Sequence, residues 1–504
     1  MKFPEEINLE ILESKHPEYD ALATCLSDIE LLSAGGYRLK NQIKKFIPQR
    51  GDEDNKSYEA RLANFTYLNI LSTAINEQVS KIANSPLDVS GVEELKVIEK
   101  FREDTNLKGR NERDFLSYIF AEVLKFKKLY CFINSTAKEQ PINKADQDRS
   151  PARPFTVFFS PSQVISWHED GDKVIWIKVR QVFDVLDNPL DKPKKKTVWT
   201  FITSEYVAKY EAETEYKKDK IDKLDGSYIN KDTKVKLVSE VKHAFVETPV
   251  YKFELSSELW VGDQILPKAM EHLRHDCIKS HLLNGVYIQR FYKRIEKPVS
   301  GVPDEIYETD SKPLPTSLNS VLELENFNFA EPSGAIIERL TTNLKNIEDQ
   351  VRDLVSLGGV SASYGATQQS GYSKEMDFQK QEVRIKKYGE LICSYYQKIL
   401  RAIATAAGTS KDKVEKISVT GLNSFEKNSI DTTLERLERF TKIDISAVRQ
   451  NVGDTAFLKI HETMVYQMVG NPTSAEQEQI SSEIKAKMAV PEIPPEVPPV
   501  VVGQ

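Results

Sequence analysis

Between residues 155 and 255 the apolar side chains recur at every second position, whereas on either side they recur every three or four. Val164 to Trp167, a His168-Glu-Asp-Gly-Asp172 turn and the run Val174 to Phe183 read as a β-hairpin. Asp170-Gly171 supplies the positive φ that a tight hairpin turn requires. Thr197–Tyr210 and Val235–Phe253 offer further strands. A chain that changes its apolar period from 3.6 to 2 and back keeps its strands together and its helices apart. The expected class is therefore α+β, predominantly helical, with one small antiparallel sheet unit at 155–255.

Residues 1–140 read as helical. Leu62, Phe65, Leu68, Leu71 and Ile75 follow helical spacing, with Ser57 as the expected N-cap and Pro86 as the stop. A helix over about 112–128 carries Phe115, Ile119, Val123 and Phe126 on one face. Residues 134–154 are polar, hold three prolines and read as a loop. Lys192–Lys196 reads as a solvated, charged connection between strands. Helix returns over 264–294. From about Ser333 a strong helix places Ile336, Leu340, Leu344, Ile347, Val351 and Leu354 close to a heptad seam. Lys374–Ala407 is a third long helix, with Tyr388, Tyr395 and Tyr396 expected in its packing face. Between these two helices, Leu357 to Gly371 is rich in glycine and serine and carries no charge. A short strand at Ile417–Leu422, helices at 430–442, 444–450 and 454–469, and a proline-rich mobile tail complete the reading.

The 504 residues exceed one ordinary core and suggest several compact units. With 69 basic and 76 acidic residues the net charge is −7, so the chain lacks the basic excess of a protein that binds nucleic acid by neutralising phosphates. No run approaches the length and apolarity of a membrane-spanning helix, and the first residues do not read as a secretory signal. The four cysteines, Cys25, Cys131, Cys277 and Cys393, are scattered, which suits a reducing compartment and forms no CxxC pair.

No P-loop, dinucleotide-binding glycine motif, HExxH or GxSxG occurs. Asp222 to Gly226 lacks the oxygen spacing of a calcium loop, and Arg50-Gly51-Asp52 is too short to carry meaning. His272, His275, Asp276, Cys277 and His281 lie on one helix. Their two i, i+4 pairs point about 140° apart, so one helix cannot close a metal site from both, and polar contacts to neighbouring helices are the simpler expectation. No catalytic residue, metal or cofactor is expected, and the chain reads as a non-enzyme.

The order of elements, together with three local stretches, resembles the portal proteins of tailed double-stranded DNA bacteriophages. The stretches are Tyr58-Glu-Ala-Arg-Leu-Ala-Asn-Phe-Thr-Tyr-Leu-Asn, the Val164–Val179 hairpin, and Phe329-Ala-Glu-Pro-Ser-Gly-Ala-Ile-Ile-Glu-Arg-Leu followed by Ile347-Glu-Asp-Gln-Val-Arg-Asp-Leu. The likeness spans about 55–410. It implies a wing (1–263, with helices over 1–140 and the β unit), two stem helices (264–294 and 334–356), a clip (295–333) and a tunnel loop (357–373). A long helix and wing return (374–453), a helical crown (454–488) and a flexible tail (489–504) follow.

The resemblance implies a closed ring, expected to hold twelve subunits, at one capsid vertex of the virion, assembled in a bacterial host's cytoplasm. The ring would be the channel for packaging and ejection of double-stranded DNA. The implied partners are the major capsid protein, scaffold protein, large terminase subunit and head–tail adaptor, with no membrane. Implied DNA-contacting residues are Ser361, Ser363, Tyr364, Gln368 and Gln369 of the tunnel loop. Channel-facing stem candidates are Arg339, Asn343, Lys345, Asn346, Asp349 and Arg352. Asp304, Glu305, Tyr307, Asp310 and Lys312 would form the docking surface of the clip. The uncharged tunnel loop departs from a charged grip on DNA. The alternatives are a minor capsid or head–tail adaptor protein without a channel of its own, and an enzyme of unrecognised type.

Overall fold

The computed structural model describes residues 2–51, 53–136, 153–186, 194–214, 234–243, 245–286, 291–292, 328–329, 334–356, 371–422, 458–459, 462, 465–466 and 474–488. The chain divides into two compact units: one of residues 1–80 and 101–381, the other of 81–100 and 382–504.

The first unit starts on a strand rather than a helix. Strand β1 (Glu6–Asn8) leads into a short helix α1 (Leu9–Glu13), capped by the Asn8 side chain at the Glu10 N–H. Helices α2 (Tyr19–Ala34) and α3 (Gly36–Asn41), α4 (Asn55–Ala63) and α5 (Ile70–Ala83) follow. The apolar spacing of 62–75 predicts one helix from Ser57; two form. Asp54, not Ser57, is the N-cap of α4, accepting from the Lys56 and Ser57 N–H groups.

The break between α4 and α5 is made by polar groups that serve helix α2. Tyr67 Oη donates to the Leu32 carbonyl at 2.8 Å, and Asn69 Nδ2 and Ser72 Oγ both donate to the Ser33 carbonyl at 2.8 Å. Those carbonyls are at the C-terminal end of α2 and have no intrahelical donor. Asn69 Oδ1 accepts the Ser72 N–H at 3.0 Å and starts α5. A continuous helix would forfeit these bonds.

Strand β2 (Leu87–Ser90) and helix α6 (Lys96–Glu103) precede α7 (Glu112–Phe126), which is capped by Asn111. Helix α7 stops at Lys127 with φ +67°, and the chain turns into β3 (Lys128–Ser135). The expected all-helical 1–140 is thus interrupted by three strands. In β3 the run Leu129 to Ile133 is buried throughout, which suits the middle strand of a sheet covered on both faces.

Strands β4 (Pro154–Phe159), β5 (Val164–Asp170), β6 (Lys173–Val185), β7 (Lys194–Ile202), β8 (Tyr206–Thr214), β9 (Lys234–Lys242) and β10 (Val250–Glu254) complete two antiparallel sheets. One has the order β1-β9-β8-β7-β6-β5, the other β10-β3-β4. The predicted hairpin is β5/β6, with Asp170 opposite Lys173 and Gly171 at φ +58°. Lys194–Lys196 open β7 instead of forming a connection, and Lys196 pairs with Glu211 on the neighbouring strand. Lys192 and Pro193, like residues 222–226, lie outside the described residues.

Tyr130, Phe132 and Phe159 of the smaller sheet meet Val164, Ile177, Val179 and Ile202 of the larger one in a closed core. On the opposite face of the larger sheet, Leu9 and Leu12 of α1 cover Trp199, Ala208 and Tyr210.

The long helix α8 (Val261–Val286) packs against α2, α4 and α7. Gly262 lies so close to the Lys125 carbonyl that any side chain would collide with it. That approach lets Trp260 Nε1 donate to the same carbonyl at 2.9 Å, near the C-terminal end of α7. Strands β11 (Phe291–Tyr292) and β12 (Asn328–Phe329) pair antiparallel, and helix α9 (Gly334–Ser356) follows.

The second unit is built on α10 (Gly371–Ala406), of which residues from Glu382 belong to it, with α11 (Lys411–Lys416), β13 (Ser418–Gly421) and α12 (Ser474–Met488). Tyr388, Ile392, Tyr395, Tyr396, Ile399 and Ile403 are buried along one side of α10, so the tyrosines are packing residues. Strand β13 pairs with β2. A methyl group at Gly389 would collide with the carbonyl oxygen of Leu422, so the end of β13 can lie against α10 only because residue 389 lacks a side chain. Gly334 has nothing within 4 Å of such a methyl. Gly389→Ala is expected to destabilise the protein by ~1–3 kcal/mol, the usual cost of overpacking. Gly334→Ala should leave stability within about 0.5 kcal/mol, as surface changes do. Thermal and urea unfolding of the two variants beside the parent checks this.

Candidate functional site: the α8–α9 helix pair

Helices α8 and α9, the segments expected to form a paired stem, pack side by side and antiparallel, with Asn343 level with His275 and Glu348 level with His272. The apolar join consists of Leu344, Ile347, Val351 and Val355 of α9, each under 5% exposed. The sequence seam of 336, 340, 344, 347, 351 and 354 is corrected at both ends. Ile336 is 51% and Leu354 39% exposed, and Val355 takes the place of Leu354. A straight helix turns at 3.6 residues, so a seam read at 3.5 slips by about 20° per heptad, and after two heptads the next residue faces the partner.

The three histidines and the cysteine of α8 that invite a metal reading each meet a different residue, and Asp276 pairs with Lys279 of its own helix. His272 is 2% exposed, with Nε2 3.4 Å from Glu348 Oε1 on α9. His275 Nδ1 is 2.9 Å from Asn343 Nδ2 and so accepts the amide hydrogen there, leaving its own proton on Nε2. Cys277 Sγ donates to the Thr66 carbonyl at 3.5 Å, and burial pushes its thiol pKa up. His281 Nδ1 is 3.5 Å from Asn64 Nδ2. Among the described residues no group of three or more His, Cys, Asp or Glu could hold a metal ion. All four cysteines are free thiols.

Of the six stem candidates, Arg339, Lys345, Asn346 and Arg352 are exposed on α9. Asp349 is half-buried and pairs with Arg352 at 3.4 Å. Asn343 is turned into the helix pair, where its amide meets His275, and does not share the exposed face. The tunnel-loop residues Ser361, Ser363, Tyr364, Gln368 and Gln369 lie outside the described residues. So do Asp304, Glu305, Tyr307, Asp310 and Lys312 of the expected clip. What is described of that segment is its base: Phe291 opposite Phe329 and Tyr292 opposite Asn328 bring the two ends of the excursion together.

Sequence reading missed the pairing of His275 with Asn343 and of His272 with Glu348. A polar residue inside an apolar helical stripe is the only signal available, and it names no partner. It also missed the buried Arg61–Glu53 pair behind α8. Arg61 Nε and Nη2 reach the two oxygens of Glu53 at 2.8 and 2.7 Å, and Nη2 also reaches the Pro48 carbonyl at 3.0 Å. The Arg61 hydrogen bonds hold the Glu53 carboxyl at about 2. Among the described residues no helix is long and apolar enough to cross a membrane.

No protein-family description and no curated protein sequence matches this chain. Solved structures do. A chain from the virion of a native gene transfer agent particle is similar over 82% of this chain and 93% of its own length, at 8% identity and a TM-score of 0.35. A chain from the neck of an empty gene transfer agent particle, computed with C6 symmetry, is similar over 79% of this chain and 92% of its own, at 9% identity and a TM-score of 0.35.

The two polar joins generate a prediction. In a double-mutant cycle, Asn343→Ala and His275→Ala should couple by about 0.5–1.5 kcal/mol, the net worth of one intramolecular hydrogen bond. Arg352→Ala should change stability by less than about 0.5 kcal/mol, since its side chain is 61% exposed and its ion pair is screened. Urea denaturation of the single and double variants measures both. The Glu53 carboxyl adds a pH prediction. Its folded pKa lies below the ordinary value of 4.5, so the stability it lends is present above that value and is lost as pH falls towards 2. Glu53→Gln should flatten that part of an acid-unfolding curve.

Proposed function

We propose that this chain is the subunit of a portal-type ring, a non-enzymatic conduit through which double-stranded DNA passes at one vertex of a phage-like particle. The observation that carries the reading is the helix pair itself. Two long helices, α8 and α9, run antiparallel and enclose an excursion whose two ends are tied together by β11 and β12. This is the stem-and-clip order that the sequence resemblance implies, and a third long helix, α10, follows it after the glycine- and serine-rich segment.

The physics of a conduit suits these residues. A ring of identical subunits needs a head-to-tail interface whose rotation closes. A helix pair that buries one side in its own subunit keeps other sides for a neighbour and for the channel. DNA that must slide cannot be held by many neutralised phosphates, because each such contact adds salt-dependent affinity. On the exposed face of α9 the cations Arg339, Lys345 and Arg352 stand beside Glu338 and Asp349, in a chain of net charge −7. On this reading Arg339, Lys345, Asn346 and Arg352 face the channel. The hydroxyls of Ser361, Ser363 and Tyr364 and the amides of Gln368 and Gln369 brush the DNA backbone, and 304–312 docks the terminase and later the head–tail adaptor.

Negative-stain electron microscopy with light scattering on the purified protein tests the reading. The expected outcome is a ring with a central hole, near 690 kDa if about twelve copies of the 57.4 kDa chain close. Monomers that close only when scaffold and capsid protein are added would also support it. Absence of a ring even then would transfer the chain to the adaptor class. In an assembling system, replacing 357–370 by a short Gly/Ser linker should weaken packaging or DNA retention; unchanged packaging would remove the loop from the contact.

A further inference from the structure

The N-terminal segment is held to the larger sheet by contacts that lie far away in sequence. Strand β1 extends the sheet beside β9, with Ile7 opposite Val235. Phe3 N donates to Glu240 Oε1 at 3.0 Å, Leu237 N to the Glu5 carbonyl at 2.9 Å, and Tyr210 Oη to the Pro4 carbonyl at 2.7 Å. Helix α1 then lays Leu9 and Leu12 over Trp199, Ala208 and Tyr210. At its far end Glu13 Oε1 takes the Arg180 Nε at 2.9 Å and the Trp199 indole N–H at 3.1 Å.

Between these anchors lies Lys178, a lysine that is only 3% exposed. Its Nζ lies 2.8 Å from the Ile11 carbonyl and 2.8 Å from Ser14 Oγ. Ser14 Oγ gives its own hydrogen to Ile11 O, so it accepts from the amine. Among the described residues no carboxylate bonds this nitrogen. Glu13, the carboxylate whose charge acts on it, is occupied by Arg180 and Trp199. On β5, Ser166 lies opposite Lys178 with His168 further along, and on β7 its opposite neighbour is Phe201. Arg180, two residues along its own strand, is positive. Two acceptors match the two N–H bonds of a neutral amine. An ammonium group there would bury a third N–H without a partner, and such a group is costly.

We propose that the segment Phe3–Ser14 is a proton-linked strap: Lys178 gives up its proton when the strap docks, so the strap holds more tightly as the solution becomes more alkaline. Desolvation pushes the docked Lys178 amine down to about 8 from its ordinary 10.5, with the charge of Glu13 acting weakly in the opposite sense. The docked form therefore binds fewer protons than the released form between these two values. Docking strengthens as pH rises through that window. Below about 8 both forms are protonated and the penalty is constant. From the two values, docking should tighten roughly twentyfold between pH 7.5 and 9.5. Lys252, another largely buried lysine of these sheets, has the contrary setting. It lies between Glu169 and Glu254, and its pKa is raised. What the strap uncovers on release is an apolar floor of Trp199, Ala208 and Tyr210 and the open edge of β9.

Hydrogen exchange of the full chain, followed by mass spectrometry and divided by the intrinsic chemical rate at each pH, tests this without any substitution. Protection of the backbone amides of residues 3–14 should rise roughly twentyfold from pH 7.5 to 9.5, while peptides from α7 stay level. Constant or falling protection of the strap would overturn the proposal. Lys178→Arg assigns the slope to this side chain, because a guanidinium stays charged. Loss of the slope in this variant supports the assignment to Lys178; retention of the slope overturns it. Should the variant fail to fold, the same comparison is made with Lys178→Met, and the slope of the parent protein still decides against the strap if it is flat.

Discussion

Helix α8 has more apolar surface than any single neighbour can cover. Ile265, Ala269, Leu273 and Cys277 are wholly buried, and Val261, Leu266 and His272 nearly so. Fully burying a leucine or isoleucine side chain is worth about 1.5–3 kcal/mol, so a helix with such a stripe dictates where its neighbours go. Helices α2, α4 and α7 come to one part of it and α9 to another. Gly262 and Trp260 fix how closely α7 approaches, and α7 in turn leads directly into the central strand of the smaller sheet. The sheets of this unit are thus tied through α7 to the same helix that packs against α9.

Buried polar groups then decide the details that hydrophobic burial leaves open. Burial is nearly indifferent to a one-residue slide of α9 along α8. Two hydrogen-bonding groups at fixed heights are not, because a slide would part His275 from Asn343 and the buried His272 from Glu348. The same logic sets the break between α4 and α5, where Tyr67, Asn69 and Ser72 close the end of α2. Register in this fold comes from pairing as much as from packing.

That division explains what the sequence discloses. The change of apolar period at 155 and its return at 264 locate the β unit and the long helices, because burial acts on every residue and leaves a periodic trace. The β5/β6 hairpin is readable because Asp170-Gly171 is a local signal. Strand β1 is not readable: its three residues are held by β9, more than two hundred positions away. The α4–α5 break is missed because the apolar spacing continues across it, and the carbonyls that enforce it belong to α2. Among the site candidates, the exposed Arg339, Lys345, Asn346 and Arg352 follow from helix phase alone. Asn343 does not, since a polar residue looks outward until its partner on α8 is known.

Two buried cations of this unit, Arg61 and Lys178, are accommodated in opposite ways. Arg61 and Glu53 are both almost wholly buried and face each other with two parallel hydrogen bonds, so the charges stay and the carboxyl resists protonation. Among the described residues Lys178 has no such partner, and its two acceptors are neutral oxygens. An ion pair keeps its charge over a wide pH range and makes a permanent join. An unpaired amine is held on terms that depend on the proton, which makes it unsuited to a permanent join and suited to a removable one. The chain places the permanent pair at α4, which packs against α8. The conditional contact falls under a segment of twelve residues, Phe3–Ser14, on the face of the larger sheet that Leu9 and Leu12 cover.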